Sequence, residues 1–187
     1  MAALGDDRAL LGSIARGDKR AFEELYVRHS ARVHRHLERI MGNRAMAEEV
    51  LNEVFLAVWQ GAGRYEGRSE PLTWLLSIAH NKAVSGMRRR REAGALLDEA
   101  AEIADLADTP DVIVQKDDKG TIMRHCINAL SLDHRTILDL VYYQERSIGE
   151  TAEILRIPEG TVKTRVFHAR KKLSELLEAR GIDRGWP

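Results

Sequence analysis

Apolar side chains recur at steps of three and four along almost the whole chain, and no segment alternates polar with apolar residues as a half-buried strand does. A sequence with that period buries its apolar surface as amphipathic helices packed stripe against stripe, so the expected fold class is all-α. Phe22, Leu25, Tyr26, Val33, Leu37, Ile40 and Met41 fit one long helix, which Gly42-Asn43 interrupts. Asn43 suits the N-cap of the next helix, because its side-chain oxygen accepts from a free N–H of the first turn. There Ala47, Val50, Leu51, Val54, Phe55 and Val58 form the stripe, opposite Glu48, Glu49, Asn52, Glu53 and Gln60. Gly61, Gly63 and Gly67 mark 61–70 as a loop. Pro71 then suits the first turn of a helix running through Trp74, Leu75, Ile78, Ala79 and Val84 to a run of arginines. The pattern resumes at Gly120 with Ile122, Cys126, Ile127 and Leu130, then Ile137, Leu138, Leu140 and Val141.

A chain of 187 residues buries one good core or two small ones. Its 29 basic and 29 acidic residues cancel, which by itself argues against a nucleic-acid binder. The distribution reverses that inference. Arg88, Arg89, Arg90 and Arg91 form an unbroken basic run. Residues 92–115 carry seven acids (Glu92, Asp98, Glu99, Glu102, Asp105, Asp108, Asp111) and no Lys or Arg. From Arg156 to Lys172 the chain is basic again, with Glu159 the one acid. The acidic stretch, with Thr109-Pro110 and a weak apolar pattern in Leu96, Leu97, Ile103 and Leu106, reads as a linker over 92–118. The expected division is therefore 1–91, a linker, and 119–187. One cysteine permits no intrachain disulfide, no apolar run is long enough to span a bilayer, and the N-terminus lacks a signal-peptide pattern. A cytoplasmic location is the expectation.

Residues 147–173 carry the most specific pattern, SIGETAEILRIPEGTVKTRVFHARKKL. Ser147 followed by Glu150 is a capping box and starts a short helix with Ile148, Ala152 and Leu155 facing inward. That helix ends near Leu155-Arg156, and Ile157-Pro158-Glu159-Gly160 forms a turn. A second helix follows, with Val162, Val166, Ala169 and Leu173 inward. Two helices joined by a tight turn, the second basic outside, make a helix-turn-helix. Thr161, Lys163, Thr164, Arg165 and His168 lie off the apolar stripe near the N-terminus of the second helix, where base edges of a major groove come within reach. Arg170, Lys171 and Lys172 fall later and suit phosphates.

These residues resemble a known family. IPEGTVKTRVFHARKKL, preceded by LSLDHRTILDLVYYQERSIGETAEIL, resembles region four of the extracytoplasmic-function sigma factors. AFEELYVRHSARVHRHLERIMGNRAMAEEVLNEVFLAVWQ and GRSEPLTWLLSIAHNKAVSGMRRRR resemble their region two. The resemblance covers about residues 20–91 and 120–180, in the family's order and spacing. It implies a two-domain initiation factor that binds core RNA polymerase, directs it to promoter DNA and melts the minus-ten element. It also implies stress-responsive control by an anti-sigma protein, whose own anchoring would be the one link to a membrane. By position, Glu49, Asn52, Glu53, Phe55, Leu56 and Trp59 would dock on the polymerase. Arg64, Tyr65, Asn81, Lys82, Arg88 and Arg89 would hold the minus-ten strand. Thr161, Lys163, Thr164, Arg165, His168, Arg170 and Lys171 would read the minus-thirty-five duplex. The sequence departs from the family at Asn52, where Gln is common, at His80, where Arg is common, at Ser85, where Asp is common, and at Leu72, where an aromatic is common.

The remaining conspicuous residues read as structural. His29, His34 and His36 lack the Cys or acidic partners of a zinc set, and Cys126 sits on an apolar stripe as a packed core thiol. Trp59 and Trp74 suit core or interface, and Trp186 lies near the terminus. No nucleophile with a base, no phosphate loop and no metal cluster is present, so no enzyme, catalytic residue, cofactor, metal or small-molecule substrate is expected. The competing reading is a plain helix-turn-helix regulator whose first half senses or dimerises; it would bind duplex DNA tightly without polymerase. The acidic linker is a candidate to cover the basic patches of the free protein.

Overall fold

The computed structural model describes residues 6–98 and 119–181. Most of the acidic stretch, with Ile103 and Leu106, and Trp186 lie outside the described residues. Among these residues the chain forms eight α-helices and no strand. They are α1 (Asp7–Ile14), α2 (Lys19–Met41), α3 (Arg44–Gly61), α4 (Pro71–Asp98), α5 (Lys119–Asn128), α6 (Leu132–Leu138), α7 (Ile148–Leu155) and α8 (Glu159–Glu178). A 3₁₀ turn, Ala62–Arg64, follows α3, and a π-helical turn, Asp139–Tyr143, continues α6. Helix α1 falls outside the stretch that resembles a known family and was not expected from it.

Local chemistry sets the helix ends. Asp18 caps α2 by accepting from the backbone N–H of Arg20 and Ala21, and Asn43 caps α3 by accepting from Met46 at 2.9 Å. Gly42 terminates α2 in the left-handed region at φ 66°, which costs a residue without Cβ least. Helix α4 starts at Pro71, as its fixed φ favours, but runs on to Asp98, past the arginine run and into the acidic stretch. The sequence boundary at residue 91 therefore falls inside a continuous helix. The capping box of α7 is complete: Glu150 N–H donates to Ser147 Oγ at 3.2 Å, and Ser147 N–H donates to Glu150 Oε2 at 3.0 Å. Arg156 ends α7 at φ 54°, a left-handed position that here holds a residue with a Cβ.

Helices α1–α4 share one core. Leu11, Leu25, Val33, Leu37, Ile40, Val54, Val58, Leu75 and Ala79 are all wholly buried in it. The second core is smaller, with Leu130, Ile137, Leu138, Val162 and Ala169, flanked by Ile148, Ala152, Leu155, Val166 and Leu173. A third cluster joins the two halves: Leu76 of α4 meets Leu140 and Ile154, with Leu72 and Leu155 at its edge. Helix α7 is thus buried on two sides. Ile148, Ala152 and Leu155 face the second core as their spacing predicts, while Thr151 and Ile154, both fully buried, face α4. The π turn likewise faces both halves. Ile137 and Leu138 go to the second core, while Leu140, in the wider turn, goes to the joining cluster.

Candidate nucleic-acid interface and the seam behind it

Helix α8 presents its apolar stripe to the second core and its basic face outward. Lys163, Thr164, His168, Arg170 and Lys171 are exposed; Thr161 and Arg165 are half-buried. Thr164 Oγ1 donates back to the Gly160 carbonyl at 3.0 Å, and Arg165 reaches Asp133 of α6 at 3.0 Å. Lys163, Arg170 and Lys171 pair with no carboxylate among the described residues. Phe167, 65% exposed, projects from the same outward face, with Lys163 one turn before it and Lys171 one turn after. Sequence reasoning passed over it because an aromatic within an apolar-stepping helix reads as core.

The second basic surface lies on α4 and the loop before it. Arg64, Asn81, Arg88 and Arg89 are exposed; Tyr65 packs on Trp74 with ring centroids 5.3 Å apart. Two of these cations are held by one acid. Glu53 of α3 accepts from Arg89 at 2.9 Å and meets Lys82 at 3.5 Å. The hydrogen bond from Arg89 keeps the Glu53 carboxyl below its ordinary range against the opposing effect of burial. The sequence assigned Glu53 to one surface and Lys82 and Arg89 to another; the structure brings all three together.

Along α3, Glu49, Asn52 and Leu56 are exposed and Glu53 and Trp59 half-buried, so they form one outward strip. Phe55 is the exception and is a correction: it is 3% exposed, packed edge-on against Phe22 and Tyr26. At the i+4 position from Leu51 it continues the buried stripe, not the outer face. Trp59 leans on Phe22 with centroids 5.4 Å apart, leaving part of its ring accessible.

Behind these surfaces the two halves meet along a polar seam. His36 of α2 is fully buried, and its Nδ1 lies 2.5 Å from Oδ2 of Asp139 in the π turn. Arg39 donates to Oδ1 of the same carboxylate at 2.7 Å and stacks over the Tyr143 ring at 4.1 Å. Arg32 donates to the side chain and the carbonyl of Gln144 at 2.9 and 2.8 Å. At the far end, Thr73 Oγ1 donates to Glu150 Oε1 at 2.7 Å, and Arg146 donates to the same oxygen at 2.6 Å. Burial pushes the Glu150 carboxyl up, yet the bonds from Ser147, Thr73 and Arg146 together hold it below its ordinary range. The seam also encloses His80, whose imidazole burial, then His36, pushes down to about 4, so it is neutral at pH 7. An arginine there would be a buried cation instead of a DNA-facing one. His36 Nε2, His80 Nδ1, Thr136 Oγ1 and Thr151 Oγ1 have no protein partner.

The three histidines of α2 are each engaged. His29 bonds Asp7 at 2.8 Å, His36 bonds Asp139, and His34 faces Glu38, so each histidine has its own carboxylate. Among the described residues no group of three His, Cys, Asp or Glu is placed to hold an ion. Cys126 is wholly buried in its half.

Comparison with known proteins covers both halves. Residues 25–93 match the model of Sigma-70 region 2, and residues 121–173 match that of Sigma-70, region 4. The chain is 34% identical over 164 residues to the RNA polymerase sigma factor CarQ of Myxococcus xanthus, covering 86% of this chain and 91% of that relative. It is 30% identical over 178 residues to the ECF RNA polymerase sigma factor SigK of Mycobacterium ulcerans, covering 93% and 95%. The solved structure of CnrH, in complex with the cytosolic domain of CnrY, superposes with a TM-score of 0.67 at 25% identity, over 92% of this chain and 97% of that one. The sigma factor RpoE of Bartonella quintana, solved with the anti-sigma factor NepR, shares the fold at a TM-score of 0.68 and 24% identity, over 84% and 96%.

Proposed function

This chain belongs to the RNA polymerase sigma factors of the extracytoplasmic-function type, and from that premise we propose how its surfaces divide the work of promoter recognition. It directs core polymerase to promoters and is not an enzyme. The N-terminal domain, up to the end of α4, docks through Glu49, Asn52, Glu53, Leu56 and Trp59 and melts the minus-ten element. Arg64, Tyr65, Asn81, Lys82, Arg88 and Arg89 take its displaced strand. The C-terminal helix-turn-helix domain from α5 onward reads the minus-thirty-five duplex through Thr161, Lys163, Thr164, Arg165 and His168, with Arg170 and Lys171 on phosphates. An anti-sigma protein, as NepR is in the complex with RpoE, holds it inactive, and it works in the cytoplasm. No helix among the described residues is long and apolar enough to cross a membrane.

The observation that carries this division is the seam. Arg89 lies about 25 Å along α4 from Thr73, and α7 is about 12 Å long, at 1.5 Å per residue. Thr73 touches α7 directly and α8 runs about 18 Å from its start to Lys171, so the two DNA surfaces sit within roughly 60 Å of each other even end to end. Elements centred near minus ten and minus thirty-five are about 25 base pairs, or roughly 85 Å, apart on straight duplex at 3.4 Å per pair. The closed arrangement cannot reach both, and it covers Thr73 and Leu76 at the start of the melting helix. Opening the seam is therefore a step in initiation. Independently of closure, Glu53 and Asp133, which hold Arg89, Lys82 and Arg165 within their own domains, weaken DNA binding by the free chain.

Run-off transcription with purified core polymerase on promoters from the source genome tests the reading. New transcripts sharing two spaced upstream elements are expected. Tight duplex footprints by the free protein, with no binding to core, would favour the plain regulator. Arg165→Ala costs about 1–3 kcal/mol at one promoter position if Arg165 reads a base; an equal loss at all promoter variants assigns it to phosphate.

A further inference from the structure

A cleft of about 470 Å³ opens at one end of the seam, where the C-terminus of α2 and the start of α3 face α5 and the π turn. Its volume lies within the roughly 300–1,000 Å³ typical of small-molecule sites. Four arginines line it: Arg35 and Arg39 from α2, Arg44 from α3 and Arg124 from α5. Glu38 is the one acid among the lining residues, and it faces His34 at 3.9 Å.

A fifth guanidinium stands in the wall. Arg135 of α6 reaches Gly42, also in the lining, so closely that a Cβ on Gly42 would lie 3.1 Å from its Nη1. Burial alone lowers the Arg135 pKa, with no carboxylate acting against it, and its Nε is buried without a protein partner. Arg35 likewise pairs with no carboxylate among the described residues, and Arg124 donates only to the Thr121 hydroxyl. Arg39 and Arg44 are engaged, with Asp139 and Glu48 respectively. The cleft therefore concentrates uncompensated positive charge at a place where both halves contribute to it. Arg135 is the half-buried guanidinium without an acid, costly unless an anion meets it, while Arg35 and Arg124 are exposed and free to turn toward the cleft; the forked N–H groups of all three match phosphate oxygens two at a time. Tyr143, 48% exposed, and Ile127 supply an apolar wall beside them.

We propose that this cleft binds a phosphorylated nucleotide carrying two or more phosphates, and that the ligand holds the two domains closed. The phosphates bridge Arg35 of the first domain and Arg124 of the second, next to Arg135, and the base lies against Tyr143 and Ile127. Opening the seam separates the groups and destroys the site, so the ligand binds the closed form in preference and shifts the population toward it. The effect on the cell would be to hold initiation back when such nucleotides are abundant. Binding itself does not depend on the initiation-factor reading; only its effect on transcription does.

The test is titration calorimetry of the full chain with ATP, with pyrophosphate and sulfate compared at constant ionic strength. ATP is expected to bind saturably, pyrophosphate more weakly, and sulfate least. Arg35→Gln and Arg124→Gln, both exposed and on opposite sides of the seam, each weaken ATP by about tenfold or more, with the far-ultraviolet circular dichroism unchanged. Hydrogen exchange at α7 slows when ATP is added. Absence of binding at low millimolar ATP overturns the proposal, as does equal binding of sulfate, which would reduce the cleft to a non-specific cation patch. Loss of ATP binding in only one of the two variants would overturn the shared site. Unchanged ATP binding in both, with weakened promoter DNA binding instead, would reassign these arginines to DNA phosphates. Tight ATP binding without effect on run-off transcription would overturn the regulatory half and leave the site itself intact.

Discussion

The N-terminal domain closes around one continuous core in which Leu11, Leu25, Val33, Leu37, Ile40 and Val58 are wholly buried, with Leu132 of α6 packed against it from the other half. Among the described residues the C-terminal domain has a smaller core of its own, Leu130, Ile137, Leu138, Val162 and Ala169, with Cys126 buried on α5. Leu140, Ile154 and Asp139 owe their burial to α2 and α4 across the seam. One domain thus supplies nearly all of its own core, and the other borrows more of its surface from its neighbour. The borrowed surface is mixed: a small apolar cluster beside a buried carboxylate, two histidines and several polar atoms without protein partners. A purely apolar seam would hold the halves shut, whereas this one has polar groups that water can take over when it parts. The difference teaches that closure of this chain is a weak state built for release, while the fold of its N-terminal domain is not.

Removing the carboxylate at the centre of the seam should give the largest effect. Asp139→Ala strands His36 and Arg39 and should disfavour closure by about 3–5 kcal/mol. Hydrogen exchange is then expected to quicken in α6 and α7 while α2 and α3 keep their protection; uniform protection would mean that the seam contributes little. Leu37→Ala probes the other side of the comparison. It should lower the stability of the N-terminal core by about 2–5 kcal/mol, seen as a fall in thermal midpoint without selective exposure of α7.

Acid should act on the seam through His80. Its folded-state value of about 4 lies below the ordinary 6.5, so the unfolded or opened chain binds the proton more readily. Its contribution is complete above pH 6.5 and is lost as pH falls toward 4, about 2 kcal/mol of it between pH 6.5 and 5. Urea midpoints at those two values check this, and His80→Gln should flatten the slope; an equal slope in the variant would contradict it. The smallest effect is local. Ser147→Ala removes one half of the α7 capping box and should cost about 1 kcal/mol, read from the denaturation midpoint.

What could be read from the sequence follows the same division. The Asn43 cap, the Ser147–Glu150 box, the start of α4 at Pro71 and the stripe of α8 depend on residues within a turn or two, and local pattern conveys them. The second buried face of α7, the inward turn of Asp139 and the neutral state of His80 depend on contacts distant in sequence; His36 and Asp139 are 103 residues apart. No periodicity records such a partner. Phe55 shows the converse: family position placed it on the docking strip, while its own spacing from Leu51 had already placed it in the core. Glu53, which holds Lys82 and Arg89, shows that the acid shielding the basic patch need not come from the acidic stretch at 92–118.

The most direct test of the account joins the seam covalently. Leu76→Cys and Ile154→Cys, with Cys126 replaced by Ser, would be bridged by a short cleavable thiol cross-linker and assayed by run-off transcription with core polymerase. The account predicts no promoter-specific transcripts from the bridged protein and their return when the linker is cut. Equal transcription by the bridged and cut forms would show that promoter recognition does not require the two domains to part.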